Sequence, residues 1–159
     1  MKKLFLISAL LFTGIAVNAQ DIKTSAVPDA VKQSFAKLYP NIVDVKWEME
    51  EANYEAKFKQ NKEKTDLLFD TSGKLIQTET KINSVNDLPL AVTNTLKKDF
   101  SGYEFEDTEK IKMADGKEFY KVEAELKEKE YELLFDTAGM LIKKTEEPSK
   151  EKEADHKKK

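Results

Sequence analysis

The stretch Leu67-Leu68-Phe69-Asp70-Thr71-Ser72-Gly73-Lys74-Leu75-Ile76 returns downstream as Leu133-Leu134-Phe135-Asp136-Thr137-Ala138-Gly139-Met140-Leu141-Ile142, with eight of ten positions identical. Each copy reads as strand, tight turn, strand. Aspartate at the first and glycine at the fourth turn position suit a type I turn followed by a left-handed residue. A second echo lies upstream of each copy, where Leu88-Pro89-Leu90-Ala91-Val92 answers Val27-Pro28-Asp29-Ala30-Val31. The offset is 61 residues for this motif and 66 for the hairpin, so the second copy carries five more residues between the two. Any fold for this chain must therefore build one unit twice.

The unit begins with a helix. Proline suits the first turn, and Asp29 sits well against the positive helix end. Val31, Phe35, Leu38 and Tyr39 then share one face, and Pro40 stops the run. Strand patterns follow. Val45, Trp47 and Met49 alternate with Lys46, Glu48 and Glu50, and Tyr54, Ala56 and Phe58 alternate with Glu55, Lys57 and Lys59. Thr65, Leu67 and Phe69 lead into the hairpin, and a fourth strand runs from Lys74 to about Thr80. In the second unit Val92, Leu96 and Phe100 form the helix stripe, Asp115-Gly116 marks a hairpin, and Tyr120, Val122, Ala124 and Leu126 alternate with charged residues. The period of two leaves one sheet face apolar and one wet. The pattern predicts an α+β fold: a tandem repeat of one helix followed by a four-stranded antiparallel sheet, with the helices packed on one face. Residues 20–82 form the first repeat and 83–145 the second. A unit this small buries too little surface to stand well alone, so one compact tandem body is expected, joined by a two-stranded linker interface or a continuous eight-stranded sheet. Gln20–Ala26 reads as a polar lead. Residues 146–159 hold no apolar side chain larger than alanine and read as a disordered charged tail.

The first 19 residues read as a signal peptide. Lys2 and Lys3 precede an apolar run from Leu4 to Phe12, and Val17-Asn18-Ala19 offers small residues for cleavage near Ala19. The run is too short for a good membrane anchor. The mature chain is therefore expected to be periplasmic or secreted, with no stable membrane insertion after cleavage. Losing Lys2 and Lys3, and no acid, takes the formal charge from −3 to −5.

Residue chemistry removes many function classes. There is no cysteine, hence no thiol nucleophile and no thiolate metal site, and the one histidine, His156, lies in the charged tail. No base stands ready for a serine triad. Every basic residue is lysine, and the balance is acidic. Both facts disfavour nucleic acid, which is read chiefly by arginine from a basic surface. No cofactor is implied, and paired carboxylates among so many surface acids make a weak case for a hydrolase. Asp70 and Asp136 are weak metal candidates, but aspartate accepting backbone hydrogen bonds in a turn explains them without a metal. Trp47 shares parity with Val45 and Met49 and reads as core. On the wet face, Leu68 and Leu134 are the apolar exceptions, at equivalent places in the two repeats. They mark a candidate partner-binding surface together with Glu48, Lys57, Lys121 and Glu123, or equally are covered by the tail, the linker or the other repeat.

Val27-Pro28-Asp29-Ala30-Val31, the Tyr39-Pro40 stop, Val45-Lys46-Trp47-Glu48, Tyr54-Glu55-Ala56-Lys57-Phe58 and Leu68-Phe69-Asp70-Thr71-Ser72-Gly73-Lys74-Leu75 together resemble the PepSY-like family of small exported bacterial proteins, also described as beta-lactamase-inhibitor-like. The resemblance covers residues 27 to about 145. It implies a two-repeat α+β build similar to that of the β-lactamase inhibitor protein, whose concave sheet clasps an enzyme; PepSY domains proper are thought to restrain peptidases. The chain lacks that inhibitor's cysteines, and no inhibitory residue carries across. The expectation is a non-catalytic exported binding module that engages or restrains a protein or peptide in the cell envelope. The alternative is an envelope carrier or sensor of a small molecule or ion, held between helix and sheet.

Overall fold

In the computed structural model, residues 20–147 are described. Residues 1–19, read above as a signal peptide, and residues 148–159 lie outside them. Strand β1 (Gln20–Ile22) precedes helix α1 (Asp29–Leu38), which is followed by β2 (Lys46–Glu50), β3 (Asn53–Gln60), β4 (Glu63–Phe69) and β5 (Leu75–Ile82). Helix α2 (Leu90–Asp99) follows, then β6 (Glu104–Met113), β7 (Glu118–Leu126), β8 (Lys129–Asp136) and β9 (Leu141–Glu146). The protein is α+β, with two helices and one antiparallel sheet of nine strands in the order β1 to β9.

Two sequence expectations are corrected. Gln20–Ile22 is no lead: it pairs with β2, Ile22 opposite Trp47, and adds a ninth strand at the edge. Three residues are too few to show alternation, so only the partner strand reveals it. The charged tail does not begin at residue 146, because Glu146 pairs with Tyr131 in β9 and the Glu147 amide donates to the Glu130 carbonyl at 2.9 Å. Composition says tail there, but the β8 edge supplies partners for the backbone.

The helices share one face of the sheet, and the register proves it. Residues paired across antiparallel strands point the same way. One ladder runs Trp47, Ala56, Leu67, Thr78; another runs Thr80, Lys110, Tyr120, Phe135. Thr78 and Thr80 are two residues apart on β5, so both ladders face the same side. Helix α1 buries Val31 and Phe35 on Trp47, Ala56, Phe58, Leu67 and Phe69, while α2 buries Val92 and Leu96 on Tyr120, Val122, Leu133 and Phe135. Each pair of helix anchors is one turn apart. The two cores are separate. Between them, β5 and β6 present Thr78, Thr80, Lys110 and Lys112, and it is the backbone ladder from Gln77–Met113 to Ile82–Thr108 that joins the halves.

The repeated turn owes its identity to the helix above it. The Gly73 amide donates to the Asp70 carbonyl and the Gly139 amide to that of Asp136, at 2.9 and 3.0 Å. Both glycines are left-handed, at φ +83° and +78°. A Cβ on Gly73 would lie 2.5 Å from the Ala30 carbonyl oxygen, and one on Gly139 would lie 2.4 Å from that of Ala91. The hairpin thus rests against the first turn of its helix. Only glycine permits both the backbone angle and the approach. In the second half the Thr95 hydroxyl also donates to the Gly139 carbonyl at 2.7 Å.

Candidate functional site

With both helices on one side, the other face of the sheet carries no covering helix among the described residues. Its side chains are fixed by the alternation already legible in the sequence. Its rows follow from the register: Lys46, Lys57, Asp66, Glu79, Ile111, Phe119 in one; Glu48, Glu55, Leu68, Gln77, Met113 in the next; Lys81, Glu109, Lys121, Leu134, Lys143 in a third.

Charge on this face is organised as two lattices. In the first, the Lys46 ammonium sits 2.8 Å from Asp21 and 2.7 Å from Glu48, and that of Lys57 sits 2.8 Å from Glu48 and 3.1 Å from Glu55. Glu48, expected as an exposed contact, is in fact buried, because the lysine stems on either side close over it. Burial pushes its carboxyl up, but the two ammoniums outweigh this and hold it below the ordinary value. In the second lattice Lys121 is clamped between Glu79 at 2.9 Å and Glu109 at 2.6 Å. Burial alone would lower the Lys121 ammonium, yet the two carboxylates raise it. Burial raises Glu79, which also accepts from the Gln77 amide at 2.8 Å. Between the lattices stands Asp66, opposite Lys57 and Glu79. Burial, helped by Glu109 and Glu79 and opposed by Lys57 and Lys121, pushes its carboxyl from 3.8 up to about 6.

The structure brings some of the candidate residues together and separates others. Glu48 and Lys57 are direct partners. Lys121 belongs to the other lattice, with Glu123 exposed two residues along the same strand. Leu68 and Leu134 both lie on the open face, half-buried, but four strand spacings apart on β4 and β8 and four residues apart along the strands, about 23 Å in all. Leu68 sits in a row with Gln77 and Met113; Leu134 lies between Lys121 and Lys143. Sequence reasoning missed Asp66, Glu79 and Glu109, and also the apolar Ile111, Met113 and Phe119 of this face. Parity places each on a face of its own strand, but their meeting depends on β5 pairing with β6, and α2 and its linkers intervene in the chain. Asp70 and Asp136 stay with their turns. One Asp70 oxygen accepts from the Ser72 amide, the Ser72 hydroxyl and the Lys74 amide at 2.8, 2.6 and 3.0 Å; one of Asp136 accepts from the Ala138 and Met140 amides, both at 2.9 Å. Trp47 is buried against α1, its ring edge-on to Phe35.

Fold and face define an α+β protein with two helices backing one antiparallel sheet whose second face is open, charged and internally paired. The sequence profile of the family described as "Putative beta-lactamase-inhibitor-like, PepSY-like" matches residues 14–77 and again 76–143. The chain belongs to this PepSY-like family. Solved structures share the fold. A BLIP-like protein from Bacteroides fragilis is 27% identical, with a TM-score of 0.64 over 75% of this chain and 86% of that one. A DUF2874 family protein from Bacteroides uniformis is 24% identical, with a TM-score of 0.71 over 75% and 88%. A protein from Bacteroides eggerthii described as putative periplasmic is 20% identical, with a TM-score of 0.71 over 76% and 88%. Comparison with curated protein sequences finds no match. Among the described residues no helix is long and apolar enough to cross a membrane.

Proposed function

We propose that this chain is a non-catalytic exported binding module that engages or restrains a protein or peptide partner through the open sheet face. One observation carries the proposal: a whole face of a nine-stranded sheet is left without a covering helix, yet its charged side chains are already ordered by ion pairs. Ordered groups lose less entropy on binding than free ones, so such a face is prepared for a partner. Leu68 and Leu134, with Met113 and Phe119, supply apolar contact between charged groups. Glu48, Lys57, Lys121 and Glu123 supply the polar pattern. Family membership and the likeness to a BLIP-like protein support protein binding. Helix-then-four-strand order, two separate cores and two matched segments support a tandem repeat over 20–82 and 83–145. Export rests on the signal pattern of residues 1–19 and agrees with the description of the B. eggerthii protein.

The test is affinity capture from a cell-envelope extract, comparing wild type with Leu68→Lys/Leu134→Lys and with a helix-side control, Lys37→Glu. A partner held by wild type and control but lost by the double variant is the expected result. Equal capture by all three assigns binding to another surface.

A second reading is favoured by one feature. A groove of about 530 Å³ on this face is lined by five lysines, of which Lys59 and Lys64 lie away from the two lattices, and by the acids Asp44, Asp66, Glu79 and Glu109. Its lysines suit a small anionic ligand of the envelope, whereas the space between α1 and the sheet is filled by Phe35, Trp47 and Phe69. Native mass spectrometry of protein purified from the envelope decides: a stoichiometric small anion supports a carrier or sensor, and the bare chain mass counts against it.

A further inference from the structure

The two halves can be compared position by position, and one comparison does not match. In the first half, the second strand of the repeated hairpin, β5, has its outer edge paired with β6: Gln77 lies opposite Met113, and the Ala114 amide donates to the Ile76 carbonyl at 2.9 Å. Leu75 and Ile76 are half-buried there. Their counterparts Leu141 and Ile142 are at the start of β9, beyond which no strand lies among the described residues. They are 37% and 47% exposed. Ile142 is also the extra residue of a bulge: Phe135 pairs with Leu141 and Leu134 with Lys143, so Ile142 has no partner on β8.

Chemistry changes at the same place. Two charged, exposed residues of the first half, Asp29 and Lys74, are replaced in the second by Leu90 and Met140, which are 74% and 60% exposed. Leu90 and Met140 flank the contact of Gly139 with the Ala91 carbonyl, so they extend the Leu141-Ile142 surface onto the first turn of α2. Among the described residues six large apolar side chains are exposed, and four of them are these. The half whose hairpin edge is covered is charged beside it; the half whose edge is bare is apolar.

We propose that β9 is a self-association edge, pairing antiparallel with β9 of a second copy of this chain about a two-fold axis between Ile142 and Lys143. The chain's own outlying segments do not suit the edge. Residues 148–159 contain no aliphatic or aromatic side chain larger than alanine and proline, and residues 1–19 join the sheet at β1, about 38 Å away across eight strand spacings. A second copy suits it, because an apolar patch is its own complement under two-fold symmetry. The lysines choose the register. Leu141 pairs with Phe135 and Lys144 with Leu133 on the helix side, whereas Lys143 pairs with Leu134 on the open face, so an axis between Ile142 and Lys143 keeps the faces matched and sets Leu141 opposite Lys144 and Ile142 opposite Lys143. Centring the axis on Lys144, or between Lys143 and Lys144, instead sets lysine against lysine, which is disfavoured. Lys144 is moreover turned back over the sheet: its ammonium lies 4.0 Å from the Tyr131 ring centre and donates to the Tyr103 hydroxyl at 2.6 Å. The axis of an antiparallel pair stands perpendicular to the sheet. All four helices of the dimer then lie on one side, and the two open charged faces join on the other.

Sedimentation velocity of the exported chain tests this from about 1 µM to about 500 µM, bracketing the micromolar range of a small interface. Wild type is expected to shift from monomer to dimer. Leu90→Asp/Met140→Lys, which installs the residues that the first half carries at these places, is expected to stay monomeric with unchanged circular dichroism and melting temperature. Site-specific crosslinking gives a second readout, since the chain has no cysteine of its own. Cα atoms beside the axis of an antiparallel pair, offset by one residue, lie about 6 Å apart and within disulfide reach. Ile142→Cys should therefore oxidise to a covalent dimer far faster than Val43→Cys, whose side chain is exposed elsewhere. A wild type that stays monomeric throughout, a double variant that dimerises equally, or equal crosslinking of the two cysteine variants overturns the proposal.

Discussion

Gly139→Ala and Gly116→Ala should have very different costs. Both glycines are left-handed, at φ +78° and +87°, so alanine meets the same backbone penalty at each, about 1 kcal/mol. Their surroundings differ. Around Gly116 an added Cβ finds nothing within 4 Å, whereas at Gly139 it lands 2.4 Å from the Ala91 carbonyl oxygen and 3.0 Å from the Val92 amide nitrogen. Those neighbours are backbone of the first turn of α2, and Val92 is fully buried, so they cannot yield without lifting the helix off Leu133 and Phe135. Forcing a methyl into such a contact adds about 1–3 kcal/mol. Gly139→Ala is therefore expected to cost about 3 kcal/mol and Gly116→Ala about 1 kcal/mol. Urea unfolding followed by circular dichroism reads this directly. At a slope of about 1.5 kcal/mol per molar urea, the midpoint should fall by about 2 M for Gly139→Ala and by less than about 1 M for Gly116→Ala. Gly73→Ala, whose Cβ meets the Ala30 carbonyl at 2.5 Å, should behave like Gly139→Ala. Equal midpoints for the Gly116 and Gly139 variants would refute the close approach of hairpin to helix as the reason the repeated glycine is glycine.

Two further outcomes concern the open face. The Asp66 carboxyl is raised in the fold from 3.8 to about 6, so its protonated form stabilises the protein fully below pH 3.8 and that contribution is lost as pH rises through about 6. Asp66→Asn should match wild type near pH 3.5 and exceed it at pH 7 by about 1 kcal/mol, a figure reduced from about 3 kcal/mol because the carboxyl is partly in solvent. Thermal melts across pH 3.5–7 check this, and a variant less stable than wild type at pH 7 contradicts it. Lys121→Met leaves Glu79 and Glu109 facing each other without their cation. It should cost about 3 kcal/mol at pH 7 and less at pH 5, where Glu79, raised by burial, takes up a proton more readily. A loss independent of pH would point to packing of the lysine stem instead.

Local patterns carry what depends on neighbours in the chain. Alternation in Trp47, Ala56 and Leu67 and in Tyr120, Val122 and Leu133 is a property of each strand alone, and it correctly named the core side. The turn identity of Asp70 and Gly73, and of Asp136 and Gly139, was equally local, because those hydrogen bonds span four residues or fewer. The face of Leu68 and Leu134 followed from the same alternation. Register between strands that are distant in sequence is different. It is set by which ladders satisfy the most backbone groups once the helices have docked, and no window of sequence contains that competition. β1 needed β2 beside it, and the β5–β6 ladder needed both halves folded. Only that ladder brings Lys121 between Glu79 and Glu109, strands Asp66 between two lattices, and sets Ile111 and Met113 beside the charged rows. Burial of Glu48 was likewise decided in three dimensions, where Lys57 arrives from β3 to join Lys46 of Glu48's own strand. Short-range pattern alone was enough for the repeated helix and hairpin motifs and for the two faces of each strand. Long-range packing joined the halves edge to edge into one sheet, covered one copy of the hairpin while leaving the other bare, and paired charge across the open face.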